Sequence, residues 1–369
     1  MKLKEKTVTG RGRKYVLDLI SQNLSNNIET LPAMRKLASD AGVSYATMRL
    51  VIDELKEQGF IEQVQGSGTF ISGQAESLLK EYSIKKLVYF RPHHFGTPEE
   101  SYHEWLASHL MQAAKKNNWN ISTITVSSHD EFFSRVKDVM DSADGIAYSP
   151  VGETYSLEQM AKFKILTNVP FVILNEFPGA SLNDITIDNR HGGALAAKHF
   201  IQHKHRKIGL LICEPRTLCT MQRVRGFQNC LELAGIEPVI IDCNVQRDDN
   251  RYDRAFETLS NRIKAGLDVT ALFAVSDYGA WGAIDAIKSC GKSTPGDISL
   301  IGFDGLPFTD KLIPKLTTIK QPVESIAQKV FDILNNTSEG EYQKILIKPE
   351  IKEGASVINS FCEEPILFA

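Results

Sequence analysis

From residue 85 onward, apolar side chains alternate between two kinds of spacing. Short, mostly apolar runs typical of buried strands are separated by longer segments in which apolar residues recur every three or four positions, as on one face of a helix. Strands that alternate with helices are typical of βαβ units, so the pattern predicts parallel sheets with helices on both faces. The runs lie at 87–90, 121–126, 145–148, 171–174, 184–188, 208–212, 239–242, 271–275, 298–304, 316–319 and 342–347.

Ten or so strands exceed what one open sheet holds comfortably. We therefore expect two doubly wound α/β lobes with a cleft between them, because ligands of such folds bind at the carboxyl ends of the strands. The chain is expected to cross between the lobes near 187–189, 319–321 and 348–350. The first lobe then takes about 85–187 and 320–348, and the second takes about 188–319 and 349–369.

The first 73 residues have a different pattern, with three helical segments and a Gly-rich hairpin. Ser44 can cap the third helix, and Gly42 suits the tight turn before it. Helices joined by a tight turn and followed by a hairpin with its tip at 65–68 predict an α+β winged helix-turn-helix. The predicted elements are helices at 14–24, 35–40 and 45–58, and strands at 60–61 and 69–71.

The stretch 31–71 closely resembles the GntR-type DNA-binding domain. It contains LP-x-x-R-x-LA, G-V-S-x-x-T-x-R, L-x-x-x-G and G-x-G-T-F in order and at the family's spacing. The resemblance implies binding of double-stranded operator DNA by a recognition helix and a wing, although Tyr45 stands where the family usually has arginine. The candidate DNA-contacting residues are Arg35, Ser44, Tyr45, Thr47, Arg49, Gln65 and Gly66.

From about 85 to 358 the chain resembles the effector domain of the LacI/GalR family. Residues 185–211, 222–235 and 275–322 carry this resemblance and match in order. A GntR-type DNA-binding domain joined to such an effector domain is the architecture of arabinose-repressor-like regulators. The resemblance implies a two-lobed, periplasmic-binding-protein-like α/β domain, a cytoplasmic homodimer and a small-molecule sugar effector that controls the affinity for the operator.

These patterns divide the chain into three parts. A winged-helix DNA-binding domain takes 1–73, a polar linker takes 74–84, and an effector-binding and dimerisation domain takes 85–369. The linker can contain a short helix near 76–82. We expect the effector to act on the DNA-binding domain through the geometry of this linker.

A cleft for a neutral sugar needs carboxylates that accept hydrogen bonds from hydroxyl groups, arginines that donate them, and aromatic rings that cover apolar C–H faces. Side chains of these kinds follow several predicted strands. The candidate effector contacts are Asn175, Arg223, Asp277 and Asp304, which the resemblance implies, with Phe95 and Tyr252 added from their positions after strands.

Each of these residues also has a purely structural interpretation. Asp277 and Asp304 could cap helices, and Arg223 could form an ion pair with Asp304. Phe95 could belong to the core. The pair 188–189 is expected to shape a hinge turn.

The net charge of −3 argues at first against a nucleic-acid partner, but the charges are unevenly distributed. Residues 1–73 carry ten Lys and Arg against eight Asp and Glu, and six of the ten lie within 1–14. The DNA-binding part is therefore mildly basic, with a basic N-terminal arm, and the remainder is mildly acidic.

Other signals argue against enzymes, metals, cofactors and membranes. The sequence has no run of eighteen apolar residues and no secretory signal, so we expect a cytoplasmic protein. The six scattered cysteines form no CxxC pair. His199 and His203 have a metal-like spacing without a matching glutamate, Ala286 stands where a phosphate-binding loop requires glycine, and no nucleophile motif occurs.

The leading hypothesis is a sequence-specific transcriptional regulator of sugar utilisation. We expect a repressor that a neutral monosaccharide, a pentose or a 6-deoxyhexose, releases from its operator. The alternative is a regulator of the same fold that acts through a protein partner or as a ligand-dependent activator.

Overall fold

The structure, a computed structural model, has the two-part architecture that the sequence predicts. A winged helix-turn-helix is followed by a two-lobed α/β domain. Two candidate contact residues, Gln65 and Phe95, lie outside the described residues. The structure describes residues 7–64, 66–93, 101–151, 155–163, 166, 169–177, 182–336 and 341–360.

The N-terminal domain contains the three predicted helices and the predicted hairpin. Ser44 caps the third helix, since its Oγ accepts a hydrogen bond from the backbone N–H of Thr47 at 3.0 Å, and Gly42 has φ +63° in the turn before it. A short first strand, absent from the sequence prediction, pairs with the hairpin in the order β1-β3-β2. The elements are α1 Val8–Ser25, β1 Thr30–Leu31, α2 Met34–Asp40, α3 Tyr45–Glu57, β2 Ile61–Val64, β3 Gly68–Ile71 and α4 Ala75–Ser83.

Helix α1 begins six residues earlier than the apolar pattern predicts. The Thr7 side chain caps it by accepting from the backbone N–H of Gly10 at 2.9 Å. Gly12 faces inward, where an added Cβ would lie about 3.5 Å from Val43 and 3.6 Å from Met48. The first turns therefore pack against the core through glycines, which apolar periodicity does not reveal.

Helix α4 is part of the core of the DNA-binding domain. Ala75 is fully buried there, and Leu78, Leu79 and Tyr82 pack against the same apolar cluster as α1 and α3. The ring of Tyr82 meets that of Phe60 edge to face, with centroids 6.0 Å apart. The stretch predicted as a linker is thus mostly an ordered helix docked on this domain.

A buried arginine joins α4 to the third helix. Arg13 is 2% exposed, and its Nε donates to the Tyr82 hydroxyl at 3.2 Å while Nη1 donates to Glu54 at 3.3 Å. The guanidinium also bonds Gln58 and lies 5.2 Å from the centroid of the Tyr82 ring. Removal of one partner would leave a buried charge uncompensated, so this network fixes α4 on α3.

The first α/β lobe contains a six-stranded sheet in the order β14-β8-β7-β6-β4-β5. Strands β6, β7, β8 and β14 pair in parallel, as the βαβ pattern predicts. The elements are β4 Lys85–Pro92, α5 Tyr102–Lys116, β5 Trp119–Val126, α6 His129–Val139, β6 Gly145–Tyr148, α7 Leu157–Phe163, β7 Phe171–Ile173, β8 Asn183–Ile187, α12 Val323–Asn336 and β14 Lys344–Ile347.

The second lobe contains a six-stranded sheet in the order β10-β9-β11-β12-β13-β15. The last strand is antiparallel to β13 and has three residues, too few for its pattern to predict a strand. The elements are α8 Asn189–Gln202, β9 Ile208–Ile212, α9 Leu218–Leu233, β10 Val239–Asp242, α10 Arg251–Lys264, β11 Ala271–Ala274, α11 Asp277–Ser289, β12 Ser299–Asp304, β13 Thr317–Lys320 and β15 Glu350–Lys352, with a 3₁₀ turn at Pro307–Asp310.

This topology gathers polar residues at one edge of the second sheet. Strands β9, β11, β12 and β13 are parallel neighbours, so their carboxyl ends lie side by side. The residues at or just beyond these ends include Ser276, Asp304 and Gln321. A ligand that enters the cleft would meet these side chains together.

Two observations concern the predictions that the protein has no membrane span and no metal site. Within the described ranges, no helix combines the length and the apolar character that a membrane crossing requires. Among the same residues, no group of three or more His, Cys, Asp and Glu side chains is arranged to hold a metal ion.

Candidate functional site

The third helix presents most of the candidate DNA contacts on its solvent side. Ser44, Tyr45 and Arg49 are exposed, while Thr47 is half-buried and its Oγ1 lies 2.8 Å from the Ser44 Oγ. The opposite side of α3 is anchored in the core by Met48, Val51, Ile52 and Leu55. The helix is therefore held from one side with its N-terminal half open to solvent, as entry into a major groove requires.

The remaining candidates flank this helix. Arg35 on α2 is exposed, and the Nε of Arg49 lies 4.0 Å from Asp53, a loose surface contact. Gly66 is exposed at φ +78°, and nothing lies within 4 Å of the position that its Cβ would take. The backbone of the wing can thus approach a duplex closely at this point.

In the second lobe, the side chain of Arg223 on α9 is mostly buried among polar and aromatic partners. Its Nε donates to Asn189 Oδ1 at 3.0 Å, and its Nη1 donates to the Val275 carbonyl at 2.8 Å. Nη1 also lies 3.2 Å from Asp304 Oδ1, and the guanidinium stacks 3.7 Å from the centroid of the Phe303 ring. This arrangement fixes the plane of the guanidinium.

Asp304 is held beside Arg223 in an unusual backbone conformation. Its φ is +124°, a region that favours glycine, and its Oδ1 accepts from Gln321 Nε2 at 2.7 Å. Burial raises the pKa of Asp304 to about 6, although Arg223 and Gln321 lower it. A strained, buried carboxylate paired with an arginine at a cleft edge is a feature typical of ligand sites.

Asp277 occupies a different environment from Asp304. It is fully buried, and its oxygens accept hydrogen bonds from the Thr318 hydroxyl at 2.5 Å and from the Leu306 backbone N–H at 2.8 Å. Burial raises the pKa of Asp277 well above its usual value, and Asp304 raises it further. Asp277 thus has a structural role, but not as the helix cap that the sequence allowed: Ser276 caps α11, and Asp277 ties that helix to β13 and to the loop after β12.

Two residues of the first lobe interact with residues of the second. Burial raises the pKa of the Tyr102 hydroxyl, Tyr89 and Asp304 raise it further, and Arg223 lowers it. Asn175 follows β7, and its Oδ1 accepts from the Glu176 N–H at 2.7 Å and from the Cys219 thiol at 3.4 Å. Asn175 therefore contacts α9 of the second lobe, and its role as an effector contact stays a prediction. Tyr102 was not among the predicted residues.

Tyr252 packs against a neighbouring helix. Its hydroxyl donates to Asp285 at 2.7 Å, a bond that raises the pKa of Tyr252 to about 12. Its ring meets that of Trp281 edge to face at 5.2 Å and lies parallel to that of Phe256 at 6.3 Å. These contacts join α10 to α11 and favour a packing role over a stacking role against a ligand.

Polar contacts join residues of the two lobes. Gln222 Nε2 donates to Glu176 at 2.9 Å, and Arg247 Nη2 donates to the Ser127 carbonyl at 2.7 Å. These bonds and the Cys219–Asn175 contact join residues that different lobes contribute. An effector could therefore change the relative stability of lobe arrangements by adding to these bridges or disrupting them.

The structure adds three residues to the candidate cleft that the sequence analysis did not assign to it. Gln321 bonds Asp304 and Asn189 bonds Arg223, while Asp304 raises the pKa of Tyr102 and Arg223 lowers it. Gln321 could have been found, because it closely follows a predicted strand of the second sheet. Tyr102 lies at the start of a helix, far in sequence from Arg223 and Asp304. A search for polar residues after predicted strands therefore could not find it.

Family models match two parts of the chain. Residues 14–71 match the bacterial regulatory proteins of the gntR family, and residues 197–357 match a periplasmic binding protein-like domain. The two matches agree with the two domains of the structure and with the two resemblances that the sequence carries.

Relatives with similar sequences are transcriptional regulators, not enzymes. The chain is 28% identical over 243 residues to the HTH-type transcriptional regulator DegA of Bacillus subtilis, covering 62% of this chain and 68% of DegA. It is 23% identical over 367 residues to the arabinose metabolism transcriptional repressor of Geobacillus stearothermophilus, covering 95% of this chain and 98% of the repressor. Six further relatives are matched over 50–60% of their own length.

The fold also resembles that of a solved regulator. A lac repressor dimer bound to operator and the anti-inducer ONPF superposes with a TM-score of 0.65 at 19% identity, over 78% of this chain and 99% of the repressor. At this identity the likeness establishes the fold of the α/β domain.

Proposed function

We propose that this chain, which joins a winged-helix domain of the gntR type to a periplasmic-binding-protein-like domain, is a sugar-responsive transcriptional repressor. A neutral monosaccharide, a pentose or a 6-deoxyhexose, binds the cleft and releases the protein from its operator. The observation that carries the proposal is the fixed Arg223–Asp304–Gln321 set at the strand ends, in the same chain as an exposed recognition helix. The names of DegA and of the arabinose repressor support the same role.

The charges of the cleft favour a neutral sugar over a phosphorylated one. Arg223 pairs with Asp304 at 3.2 Å, and Arg251 lies 3.4 Å from Glu214. These two arginines are thus each matched by a carboxylate, whereas a phosphate would require surplus cations or an open helix N-terminus. Alternating donors and acceptors suit the hydroxyl groups of a sugar, each of which both donates and accepts.

The proposed operator complex contains two copies of the chain. A single winged helix reads few base pairs, so a homodimer on a palindromic site would supply the specificity. The lac repressor with the similar α/β fold is a dimer on its operator. The homodimer of this chain is part of the proposal.

A panel of monosaccharides tests the effector half of the proposal. Arabinose, xylose, ribose, rhamnose and fucose would be screened by thermal shift with the full-length protein, and each sugar that raises the melting temperature would be added to a DNA-binding assay. We expect one pentose or 6-deoxyhexose to stabilise the protein, since a ligand at about 100 times its Kd adds about 2.7 kcal/mol to the stability. The same sugar should weaken operator binding; stabilisation by phosphorylated sugars alone would contradict the proposal.

Replacement of an arginine on the recognition helix tests the proposed binding to operator DNA. Arg49→Ala should weaken operator binding by about 1–3 kcal/mol, because an exposed arginine on this helix can form a bidentate pair with guanine. Fluorescence anisotropy with a labelled operator measures the loss. Arg262→Ala removes an exposed arginine from α10 and serves as the matched control, expected to bind like the wild type. Equal operator affinities of the Arg49 variant and the wild type would remove Arg49 from the interface.

A further inference from the structure

The outermost face of the recognition helix α3 is apolar at its centre. Met48, Val51, Ile52 and Leu55 define the buried side. At 100° per residue, Ala46 and Leu50 lie four positions apart on the opposite side, directed away from the core. Leu50 is 60% exposed, the largest exposed fraction among the large apolar side chains of α3.

The charges around Leu50 leave the centre of this face with little capacity to attract phosphates. From Arg49 to Glu57, the helix carries Arg49 and Lys56 against Asp53, Glu54 and Glu57. Arg49 lies to one side of Leu50 and is 4.0 Å from Asp53. Neither Ala46 nor Leu50 has a hydrogen-bonding side chain, so the centre of the face cannot read a base through donors and acceptors.

One feature of the major groove matches such a surface. The C5 methyl group of thymine projects into the groove and is recognised by apolar contact, whereas the other base edges present donors and acceptors. A single exposed leucine on a protein surface is ordinary, so exposure alone decides nothing. The position of Leu50 is what points to a role in DNA binding, because Leu50 lies at the centre of the exposed helix face. Ser44, which caps the helix, Thr47 and Arg49 border that face.

We propose that Leu50, supported by Ala46, packs against thymine methyl groups in the major groove and is a specificity-determining residue. The inference rests on the proposed DNA-binding function and extends it by naming what the centre of α3 reads. Each half-site then contains at least one thymine beneath Leu50. Arg49 supplies a separate polar contact at the side of the same helix.

Replacement of thymine by uracil tests this directly, since uracil keeps the base pair and lacks the methyl group. A duplex would first be selected from a random-sequence pool with the full-length protein, and each thymine of its half-sites would then be replaced in turn. At one or two positions uracil should weaken wild-type binding about fourfold, the equivalent of about 0.8 kcal/mol for one buried methyl-sized group. With Leu50→Ala the same replacement should change binding less than about 1.5-fold, so the two changes are not additive.

Two variants separate this contact from general effects. Leu50→Met keeps an apolar side chain of similar size and should keep the uracil penalty. Arg49→Ala should bind every duplex more weakly and should still show the uracil penalty. A full uracil penalty in Leu50→Ala, or no position at which uracil weakens the wild type, would overturn the inference while leaving the proposed function intact. If the wild-type protein selects no sequence at all, the proposed function fails and this inference fails with it.

Discussion

Arg223→Ala should weaken sugar binding by about 2–5 kcal/mol, which is roughly 30- to 4,000-fold in Kd. The truncation removes a guanidinium whose plane is fixed by Asn189, the Val275 carbonyl and the Phe303 ring. It also leaves Asp304, 3.2 Å away, buried without its cation. Isothermal titration calorimetry with the sugar found in the thermal-shift panel measures the loss.

The controls for this variant separate binding from folding. Arg223→Lys keeps the charge but not the planar fork, so we expect an intermediate loss of sugar affinity. Both variants should still bind the operator, and the sugar concentration that releases them should rise in proportion to the loss of sugar affinity. Wild-type sugar affinity in Arg223→Ala would show that Arg223 serves only to pair with Asp304.

Two aspartates that look equivalent in sequence are separated by the packing around them. Asp277 and Asp304 each follow a strand of the same sheet, so the sequence predicts effector contacts for both. The register of the sheet places only Asp277 in a buried structural role. Thr318 lies beside Gly302 in the pairing of β12 with β13, and its hydroxyl donates to Asp277. A Cβ on Gly302 would lie 2.4 Å from Asp277 Oδ1, so this buried site also depends on a glycine of the neighbouring strand.

Most strands and helices could be predicted because each depends on a local pattern. The predicted runs at 145–148, 208–212 and 239–242 coincide with β6, β9 and β10. The cleft could be predicted only in part, because its side chains come from distant positions. Tyr102 belongs to α5, and its electrostatic interaction with Asp304 and Arg223 joins residues far apart in sequence, with no periodicity to signal it.

The structure of segment 74–84 also depends on a long-range contact that its sequence does not reveal. This contact determines where the coupling between sugar binding and operator binding should be tested. Its polar composition predicted a linker, yet α4 is held on the DNA-binding domain by Arg13, which lies 69 residues before its partner Tyr82 in the sequence. One residue, Ile84, separates the end of α4 from the start of β4. An interruption that spares the docked helix must therefore be placed at this junction.

Insertion of Gly-Gly-Ser-Gly after Ser83 should abolish the response of operator binding to sugar while both ligands still bind. The proposed effector changes operator affinity through the covalent connection between α4 and β4, and a flexible insert removes that constraint. In the wild type, coupling of this kind is typically about 1–3 kcal/mol, or 5- to 150-fold. In the insertion variant, operator Kd with and without saturating sugar should agree within about twofold.

The matched control carries the same four residues after Gly291, in an exposed turn of the second lobe, and should respond like the wild type. Linkage gives an independent check, since operator must weaken sugar binding by the same factor as sugar weakens operator binding. Calorimetry with and without operator should therefore show the difference in the wild type and in the control, and none in the junction variant. A junction variant that sugar still releases from the operator as fully as the wild type would mean that the signal bypasses Ile84.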